Sequence, residues 1–286
     1  QATHAQLANE PNYGWWTGSF ARDQDPVAGY ISLFNAVDAH LRKTHPDTRL
    51  LGPCLASSAF FSWGGWETWT VPVLKGATRD IEDFNYHNYS SAAQTHLAWV
   101  EMLQAQGEAL GRKRPRAVVT ELNDEANVGK AGRKYEWWSE QFFMALDHPD
   151  KFHLWCYFLL ASRGGGVGNV VAMRGDGCEP TDTYWLFWAL RQTRGAMRYV
   201  EPAGIQDLYA FACTPEGDRL VVSLFNDTAL PADVKVCSGL PKNAKIQSVS
   251  RYSVHRQADL VWHAEDSLAL APEVETTLLP GAVQSV

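Results

Sequence analysis

The chain has 286 residues, enough for one large domain or for a large domain with a small companion. With 45% hydrophobic and 20% charged residues, its composition supports a packed core and argues against disorder. The formal net charge of -7 argues against nucleic acid as a partner, because phosphate binding needs clustered lysine and arginine. No run of about 18 apolar residues occurs, so no membrane-spanning segment is predicted.

The cysteines and histidines do not form a recognisable metal or redox motif. The five cysteines are widely scattered and have no CxxC spacing. The nine histidines show no i, i+4 pair with an acidic residue, so no metal site is predicted. An odd number of cysteines leaves at least one unpaired and does not decide the compartment, although a secreted or periplasmic location is favoured over others.

Short apolar runs and longer stretches of helical spacing alternate through most of the chain. The apolar runs predict strands over residues 4–8, 49–55, 81–86, 117–120 and 152–160. Helical spacing predicts helices over 27–43, 92–110, 135–146 and 183–199, with a weaker candidate over 71–78. Near-continuous apolar strands that alternate with helices predict an α/β fold in which helices cover a parallel sheet.

From about residue 203 the pattern changes to short strand-like runs separated by Pro, Gly, Asn and Asp. These runs cover residues 220–225, 233–236, 245–249 and 276–279. They predict an all-β domain over residues 203–286, most simply a sandwich. Residues 1–202 are then the α/β domain, and the boundary falls near residues 201–204.

Two glutamates follow predicted strands directly. Glu10 comes after the first strand-like run, and Glu121 comes after the run at 117–120. In parallel α/β barrels the carboxyl ends of the strands carry the active site. Two carboxylates that face each other there suit glycosidic bond cleavage, since one protonates the departing oxygen and the other meets the positive charge at the anomeric carbon. Asn9, next to Glu10, is placed to bond the 2-hydroxyl group of the sugar.

Aromatic residues are the one unusual feature of the composition, with 12 tryptophans in the chain. A sugar ring stacks well on an aromatic plane, while the indole N–H meets a hydroxyl group. Each tryptophan could equally be a core residue, but those in the glycine-rich stretch at 62–66 are harder to assign to a core. The aromatic residues predicted to bind sugar are two in this stretch, Trp63 and Trp66, and three that follow Glu10, namely Tyr13, Trp15 and Trp16.

Four segments in chain order resemble glycoside hydrolases. Asn9-Glu10-Pro11-Asn12 resembles the acid/base strand of the clan A retaining enzymes. The next three are most similar to glycoside hydrolase family 39, the β-xylosidase and α-L-iduronidase family. Residues 51–56 resemble its Gly-Gly-Pro strand, residues 83–89 resemble its strand that ends in His-x-Tyr, and residues 119–123 resemble its Thr-Glu-x-Asn nucleophile strand.

This resemblance implies a (β/α)8 TIM-type barrel and a role for each matching residue. Glu10 becomes the general acid/base and Glu121 the nucleophile of a double displacement with retention, which needs no cofactor. Tyr86, His87 and Tyr89 are expected to contact the sugar or to orient Glu121, although His87 could instead be a surface-loop histidine. Trp155 falls where the clan often carries an aromatic residue under the sugar, although a tryptophan in so apolar a strand could also be core.

The resemblance also implies that part of the barrel lies outside these residues. If Glu10 ends the fourth strand of such a barrel, this sequence holds strands four to eight. Five strands cannot close an eight-stranded barrel without leaving apolar edges exposed. We therefore expect an N-terminal segment or a second chain to complete the barrel.

The functional prediction is a retaining, β-xylosidase-like glycoside hydrolase that acts on an oligo- or polysaccharide. An endo-acting polysaccharide hydrolase of the same clan is an alternative. A second alternative, of a different class, is a carbohydrate-binding or scaffolding protein that kept the aromatic groove without turnover. The sequence names neither the sugar nor the linkage.

Overall fold

The computed structural model describes residues 3–13, 25–56, 65–89, 91–124, 133–157, 160–163, 169–198, 200, 203–204, 207–215, 219–239, 245–257 and 260–286. The predicted site residues Trp15, Trp16 and Trp63 lie outside these ranges. The chain divides into two compact units. The first comprises Gln1–Ala126 and His148–Phe158, and the second comprises Asn127–Asp147 and Leu159–Val286. The boundary near residue 202 that the sequence predicts stays a prediction.

A five-stranded parallel sheet forms the centre of the first unit. Its strands are β1 (His4–Gln6), β2 (Arg49–Leu55), β3 (Asp83–Tyr89), β4 (Arg116–Asn123) and β5 (Phe152–Tyr157). They lie side by side in sequence order, as consecutive strands of a barrel do. All five strand regions predicted from the sequence are present, and β2 has the predicted bounds.

Helices connect these strands and cover the sheet. They are α1 (Pro26–Thr44), α2 (Val71–Gly76) and α3 (Ala93–Ala109), and a π-helical turn (Trp66–Thr70) precedes α2. Asp25 caps α1 by accepting hydrogen bonds from the backbone N–H groups of Val27 and Ala28. The Phe34 ring of α1 lies against Gly52 of β2, where a Cβ atom would come within 2.6 Å of the ring. Glycine at this position therefore permits the close approach of helix and strand.

Asp83, the first residue of β3, is buried among four basic side chains at the amino end of the sheet. It accepts hydrogen bonds from His153 at 2.6 Å, Arg116 at 3.1 Å and Arg49 at 3.3 Å, and His4 lies 3.8 Å away. Burial opposes the ionised carboxylate, but the hydrogen bond from His153 and the positive charges of His153 and Arg116 hold the pKa of Asp83 below its usual value. Because each of the five residues comes from a different strand, the cluster ties all five strands of the sheet together by charge.

Asp83→Asn is expected to lower the free energy of unfolding by about 2–3 kcal/mol, because it leaves the arginines without their buried counter-charge. Since the pKa of the folded-state carboxyl is depressed, its stabilisation is complete above the unfolded pKa of about 3.9 and is lost as the pH falls through the folded value. Urea unfolding at pH 7 and pH 3 measures both effects. Glu82→Gln, at the neighbouring and only partly buried residue that pairs with Lys113 and Arg49, is the control and should cost under about 1 kcal/mol. Equal losses for both variants would contradict this assignment.

The second unit contains α4 (Arg133–Asp147), α5 (Asp182–Leu190) and eleven strands in the described residues. A three-stranded sheet contains β6 (Ala161–Arg163), β7 (Val171–Arg174) and β8 (Gly177–Pro180). A six-stranded antiparallel sheet has the order β14-β13-β16-β11-β10-β9. Its strands are β9 (Ala196–Arg198), β10 (Leu208–Thr214), β11 (Val221–Asn226), β13 (Ser250–Gln257), β14 (Leu260–Ser267) and β16 (Val283–Ser285).

The remaining two strands, β12 (Ala232–Cys237) and β15 (Glu273–Leu278), pair with each other. Residues of both sheets share one apolar cluster, in which Val222 and Leu224 of β11 join Leu278 of β15. The β-rich region predicted from residue 203 onward is therefore present. Its description as a sandwich domain over 203–286 stays a prediction.

Two predicted elements of the second unit are corrected by the structure. The helix predicted over 183–199 ends at Leu190, and residues 196–198 instead form β9. Gly195 has a φ of 89°, and a Cβ atom there would lie 2.3 Å from the carbonyl oxygen of Thr214. The chain therefore turns at this glycine and joins the sheet beside β10. Residues 245–249 are not a strand, because sheet pairing begins only at Ser250.

None of the helices found in the described ranges combines the length and the apolar character that crossing a bilayer requires.

Candidate active site

Glu10 follows the carboxyl end of β1, and Cys54 is the next-to-last residue of the neighbouring strand β2. The backbone N–H of Glu10 donates to the carbonyl oxygen of Cys54 at 3.0 Å. Both residues adopt left-handed backbone conformations, with φ of 47° and 59°. Residues other than glycine rarely hold such angles, and those that do concentrate at functional sites. The chain is therefore strained at the point where it presents Glu10.

A bulge between β3 and β4 sets the orientation of Glu121. Tyr86 is opposite Val119, but the next residue, His87, is opposite Glu121, so Thr120 is the extra residue. The Thr120 hydroxyl donates to Asn85 at 2.8 Å. Because of the bulge, Glu121 and His87 point to the same side of the sheet.

His87 joins the two glutamates. Its Nδ1 lies 2.7 Å from Oε1 of Glu10 and 3.2 Å from Oε2 of Glu121. One ring nitrogen of His87 and one carboxylate oxygen of each glutamate all lie within 4.8 Å of one another. His87 is 0% exposed, which excludes the alternative that it is a surface-loop histidine. Two carboxylates remote in the sequence are thus brought to a single point at the carboxyl edge of the sheet.

The neighbouring side chains of Tyr89 and Asn9 extend this group of residues. The Tyr89 hydroxyl donates to Oε2 of Glu121 at 2.5 Å. The Asn9 amide oxygen accepts from Gln6 at 3.3 Å and lies 3.5 Å from the Cys54 sulfur. The predicted residues Asn9, Glu10, His87, Tyr89 and Glu121 therefore belong to one connected network.

Burial controls the protonation of this network. It raises the pKa of Glu10 and so favours the protonated acid. Burial also lowers the pKa of His87, although the charge of Glu121 opposes this effect, so the ring is neutral at pH 7. A neutral ring that donates from Nδ1 to Glu10 leaves Nε2 as an acceptor, and the Cys54 sulfur lies 3.2 Å from Nε2. Burial raises the pKa of Cys54 to about 11, so the protonated thiol can donate to the ring.

Two predicted sugar-binding residues lie on the other face of the sheet. Tyr86 is 0% exposed, and its hydroxyl lies 2.6 Å from Nε2 of His96 in α3. The Trp155 ring stacks on His96 and packs against Phe152, with ring centroids 5.6 and 5.4 Å apart. The prediction for both is corrected, and neither is retained in the proposed site.

The register of β5 gives the reason for the position of Trp155. Phe152 is opposite Ala117, but Leu154 is opposite Val118, so His153 is an extra residue in the pairing. This irregularity moves Trp155 to the face that Phe152 occupies. Strict alternation from Phe152 would have placed it on the opposite face.

Tyr13 and Trp66 remain predicted substrate contacts. Tyr13 is 41% exposed, and its backbone N–H donates to the carbonyl oxygen of Glu10, so it lies in the turn that follows the acid. Trp66 is partly exposed and begins the π-helical turn after β2. Trp15, Trp16 and Trp63 lie outside the described residues, so their predicted role is untested.

Sequence reasoning missed four residues that support the site. These residues are Gln6, Cys54, Asn85 and Thr120. Asn85 accepts from Thr120 and donates to Gln6 at 2.9 Å, beneath the glutamates. Alternation along β3 could have identified Asn85, because it lies two residues before His87. Cys54 and Thr120 gave no such signal, since their positions depend on a left-handed backbone and on a bulge.

Within the described ranges, two groups of side chains bring possible metal-ligand atoms together, and neither suits a metal well. In the group of Glu10, His87 and Glu121, the contact of 2.7 Å is that of a hydrogen bond, whereas two ligands of a tetrahedral zinc stay about 3.3 Å apart. In the group of His4, Asp83 and His153, arginines already bond both carboxylate oxygens of Asp83. We assign no metal to either group.

Several solved glycoside hydrolases have a similar structure. A β-porphyranase of glycoside hydrolase family 86 from the human gut bacterium Bacteroides plebeius matches with a TM-score of 0.72 and 15% identity, over 99% of this chain and 55% of that chain. The GH51 α-L-arabinofuranosidase of Thermotoga petrophila matches with a TM-score of 0.68 and 14% identity, over 98% and 65%. A monomeric β-xylosidase of Caulobacter crescentus matches with a TM-score of 0.66 and 13% identity, over 98% and 68%.

Comparisons with protein-family models and with curated proteins gave no match. The chain spans 55% of the porphyranase, about half of its length. At these identities the likeness concerns the fold, and it agrees with the parallel sheet of the first unit. The chain therefore shares the fold of these neighbours, a TIM-barrel type, of which the described residues form a five-stranded parallel sheet.

Proposed function

We propose that this chain carries the catalytic residues of a retaining glycoside hydrolase that acts on an oligo- or polysaccharide. The observation that carries this proposal is that Glu10, His87 and Glu121 converge. One ring nitrogen of His87 and one carboxylate oxygen of each glutamate lie within 4.8 Å of one another. Retaining enzymes keep their carboxyl groups about 5–5.5 Å apart, whereas inverting enzymes need about 6.5–9.5 Å to admit a water molecule. Both carboxylates contact the same nitrogen of His87, at 2.7 and 3.2 Å, and this close approach supports retention.

In the first step, Glu121 attacks the anomeric carbon and forms a glycosyl ester. Glu10 gives its proton to the glycosidic oxygen as the bond to the leaving group breaks. The raised pKa of Glu10 supplies the protonated form that this step needs. The Tyr89 hydroxyl orients Glu121 through its hydrogen bond.

In the second step, the ionised Glu10 takes a proton from water, and the resulting nucleophile attacks the same anomeric carbon. The ester bond breaks and Glu121 leaves as a carboxylate. His87 contacts both glutamates and therefore holds their carboxylates in position relative to each other through both steps. No cofactor takes part.

The substrate proposed first is a β-xyloside, from the resemblance of residues 51–56, 83–89 and 119–123 to glycoside hydrolase family 39. An endo-acting polysaccharide hydrolase is the second candidate. The porphyranase has a higher TM-score than the xylosidase, 0.72 against 0.66, and a related structure holds neoagarooctaose. We also propose that further polypeptide supplies the barrel strands beyond the five in the described sheet.

Hydrolysis with retention is the expected result when the full-length protein is incubated with aryl β-xylosides and with neoagarooctaose. Proton NMR of the anomeric signals, recorded before mutarotation, should show that the first product keeps the anomeric configuration of the substrate. An inverted first product would contradict the roles given to Glu10 and Glu121. Tight binding of these sugars without any turnover would favour the carbohydrate-binding alternative.

A further inference from the structure

The hairpin of β13 and β14 in the second unit has two faces with different surroundings. One face is covered by α5, where Trp185 stacks on His263 with ring centroids 3.3 Å apart and Trp188 packs against Tyr252. Because side chains alternate along a strand, the residues next to His263 and Tyr252 point the other way. The second face therefore carries Arg251, Ser253 and His255 of β13, and their cross-strand partners Asp266, Ala264 and Trp262 of β14.

The second face is only partly covered. Gln284 of β16 is opposite Ser253, and its amide oxygen accepts from Thr276 of β15 at 2.8 Å, so the β12–β15 pair packs over this part. Beyond that contact lies a cavity of about 180 Å³. Its lining includes Arg251, Ser253, Trp262, Asp266, Leu279 and Gln284. This volume is about six times the volume that one water molecule occupies in the liquid, so it suits a ligand of one small ring.

Trp262 and Leu279 give one wall of the cavity an exposed apolar surface. Trp262 is 54% exposed and lies beside the His255 ring, with centroids 5.3 Å apart. Leu279 is also exposed. A tryptophan that is left open inside a concave site offers its ring face for stacking, which is how apolar C–H faces of sugar rings are held.

Ser253 gives the floor of the cavity an unsatisfied hydroxyl group. The residue is 8% exposed, and its Oγ has no hydrogen-bond partner among the described residues. A buried hydroxyl without a partner is costly and is uncommon in folded proteins. A ligand that brings a hydroxyl group into the cavity would satisfy it.

The charges in the cavity cancel each other. Arg251 donates to Asp266 at 2.9 Å from Nη2 and to Thr276 at 3.2 Å from Nη1. Burial lowers the pKa of His255, so that ring is neutral at pH 7. The site therefore has no net charge that would select an ion, while it keeps fixed polar groups that suit a neutral polyhydroxyl ligand.

We propose that this cavity is a second saccharide-binding site, which holds one neutral sugar ring of the polysaccharide that the chain processes. The ring stacks on Trp262, one of its hydroxyl groups bonds Ser253, and the Arg251–Asp266 pair contacts another. The choice of a saccharide as ligand rests on the proposed function. The site itself is separate in sequence from the residues that carry the glutamates.

The test is calorimetric titration of the full-length protein, in a Glu121→Gln background that prevents cleavage, with xylohexaose and with neoagarooctaose. We expect two classes of binding site for one of these probes. Trp262→Ala should weaken one class about tenfold or more, while Trp262→Phe keeps much of the affinity because a ring face remains. Ser253→Ala should weaken the same class without lowering the melting temperature, since its hydroxyl has no partner in the fold.

Leu230→Ala is the matched control, because this residue is 72% exposed in the same unit and does not line the cavity. Equal binding by the Trp262→Ala and Leu230→Ala proteins, or a single class of sites for both probes, would overturn the inference.

Hydrolysis by the wild-type protein is measured separately. If hydrolysis is found while Trp262→Ala has no effect, the second site is wrong and the proposed function stands. If the binding depends on Trp262 but no hydrolysis is found, the proposed function fails and the second site stands.

Discussion

Replacing Glu121 by glutamine is expected to lower kcat by at least about 10⁴-fold, because an amide cannot attack the anomeric carbon and form the ester. Glutamine has nearly the same shape, so the Tyr89 hydroxyl still finds an oxygen acceptor at this position. We expect the melting temperature to change little. Steady-state kinetics on an aryl β-glycoside and thermal unfolding measure the two effects.

Glu121→Ala allows a sharper test of the same role. Azide can enter the space left by the side chain and attack from the same side as Glu121, so the glycosyl azide should have the inverted anomeric configuration. Glu67→Gln, at an exposed residue of the π-helical turn, is the control and should keep the wild-type rate. A Glu121→Gln protein with normal kcat would remove Glu121 from the mechanism.

Replacing Glu10 by glutamine is expected to reduce kcat/KM by about 10²–10⁴-fold for substrates whose leaving group needs a proton. Substrates with a dinitrophenolate leaving group should lose much less in the first step, because that group departs without protonation. The measurement is a comparison of the two substrate types with the wild type and the variant. Equal losses for both would contradict the assignment of Glu10 as general acid.

The same variant tests the raised pKa of Glu10. A general acid works only while it holds its proton, so the rate falls as the pH rises through its pKa, and a raised pKa moves this fall to higher pH. The wild type should therefore show a basic limb in its plot of kcat/KM against pH, and Glu10→Gln should lack it. A basic limb that persists in the variant would belong to another group.

The proposal of an enzyme and the alternative of a pure binding protein differ in what they require of this site. A binding protein needs surfaces for stacking and hydrogen bonding, but it does not need two carboxylates at one point or a strained backbone at one of them. Glu10 is held in a left-handed conformation and bonded to Cys54, which is itself left-handed. Such strain is retained where it positions a functional group, and it favours the enzyme.

Local sequence pattern determined most of the elements of this protein. The apolar run at 49–55 predicts β2 with its observed bounds, and helical spacing predicts α1 and α3 to within a residue at each end. These signals depend on neighbours a few positions apart, so they can be read along the chain. The same reading places Glu10 and Glu121 at the carboxyl ends of parallel strands, which explains why both were identified.

The tertiary structure decided which side chains share the site. A single extra residue in a strand reverses the faces of those that follow, and it is set by pairing with a strand remote in the sequence. Thr120 is such a residue and turns Glu121 toward His87, while the irregularity at His153 turns Trp155 away. The contact of Cys54 with His87 likewise depends on two strands that meet only in the folded sheet. The sequence determined the strands and the acids, and only the pairing between strands decided how their side chains converge.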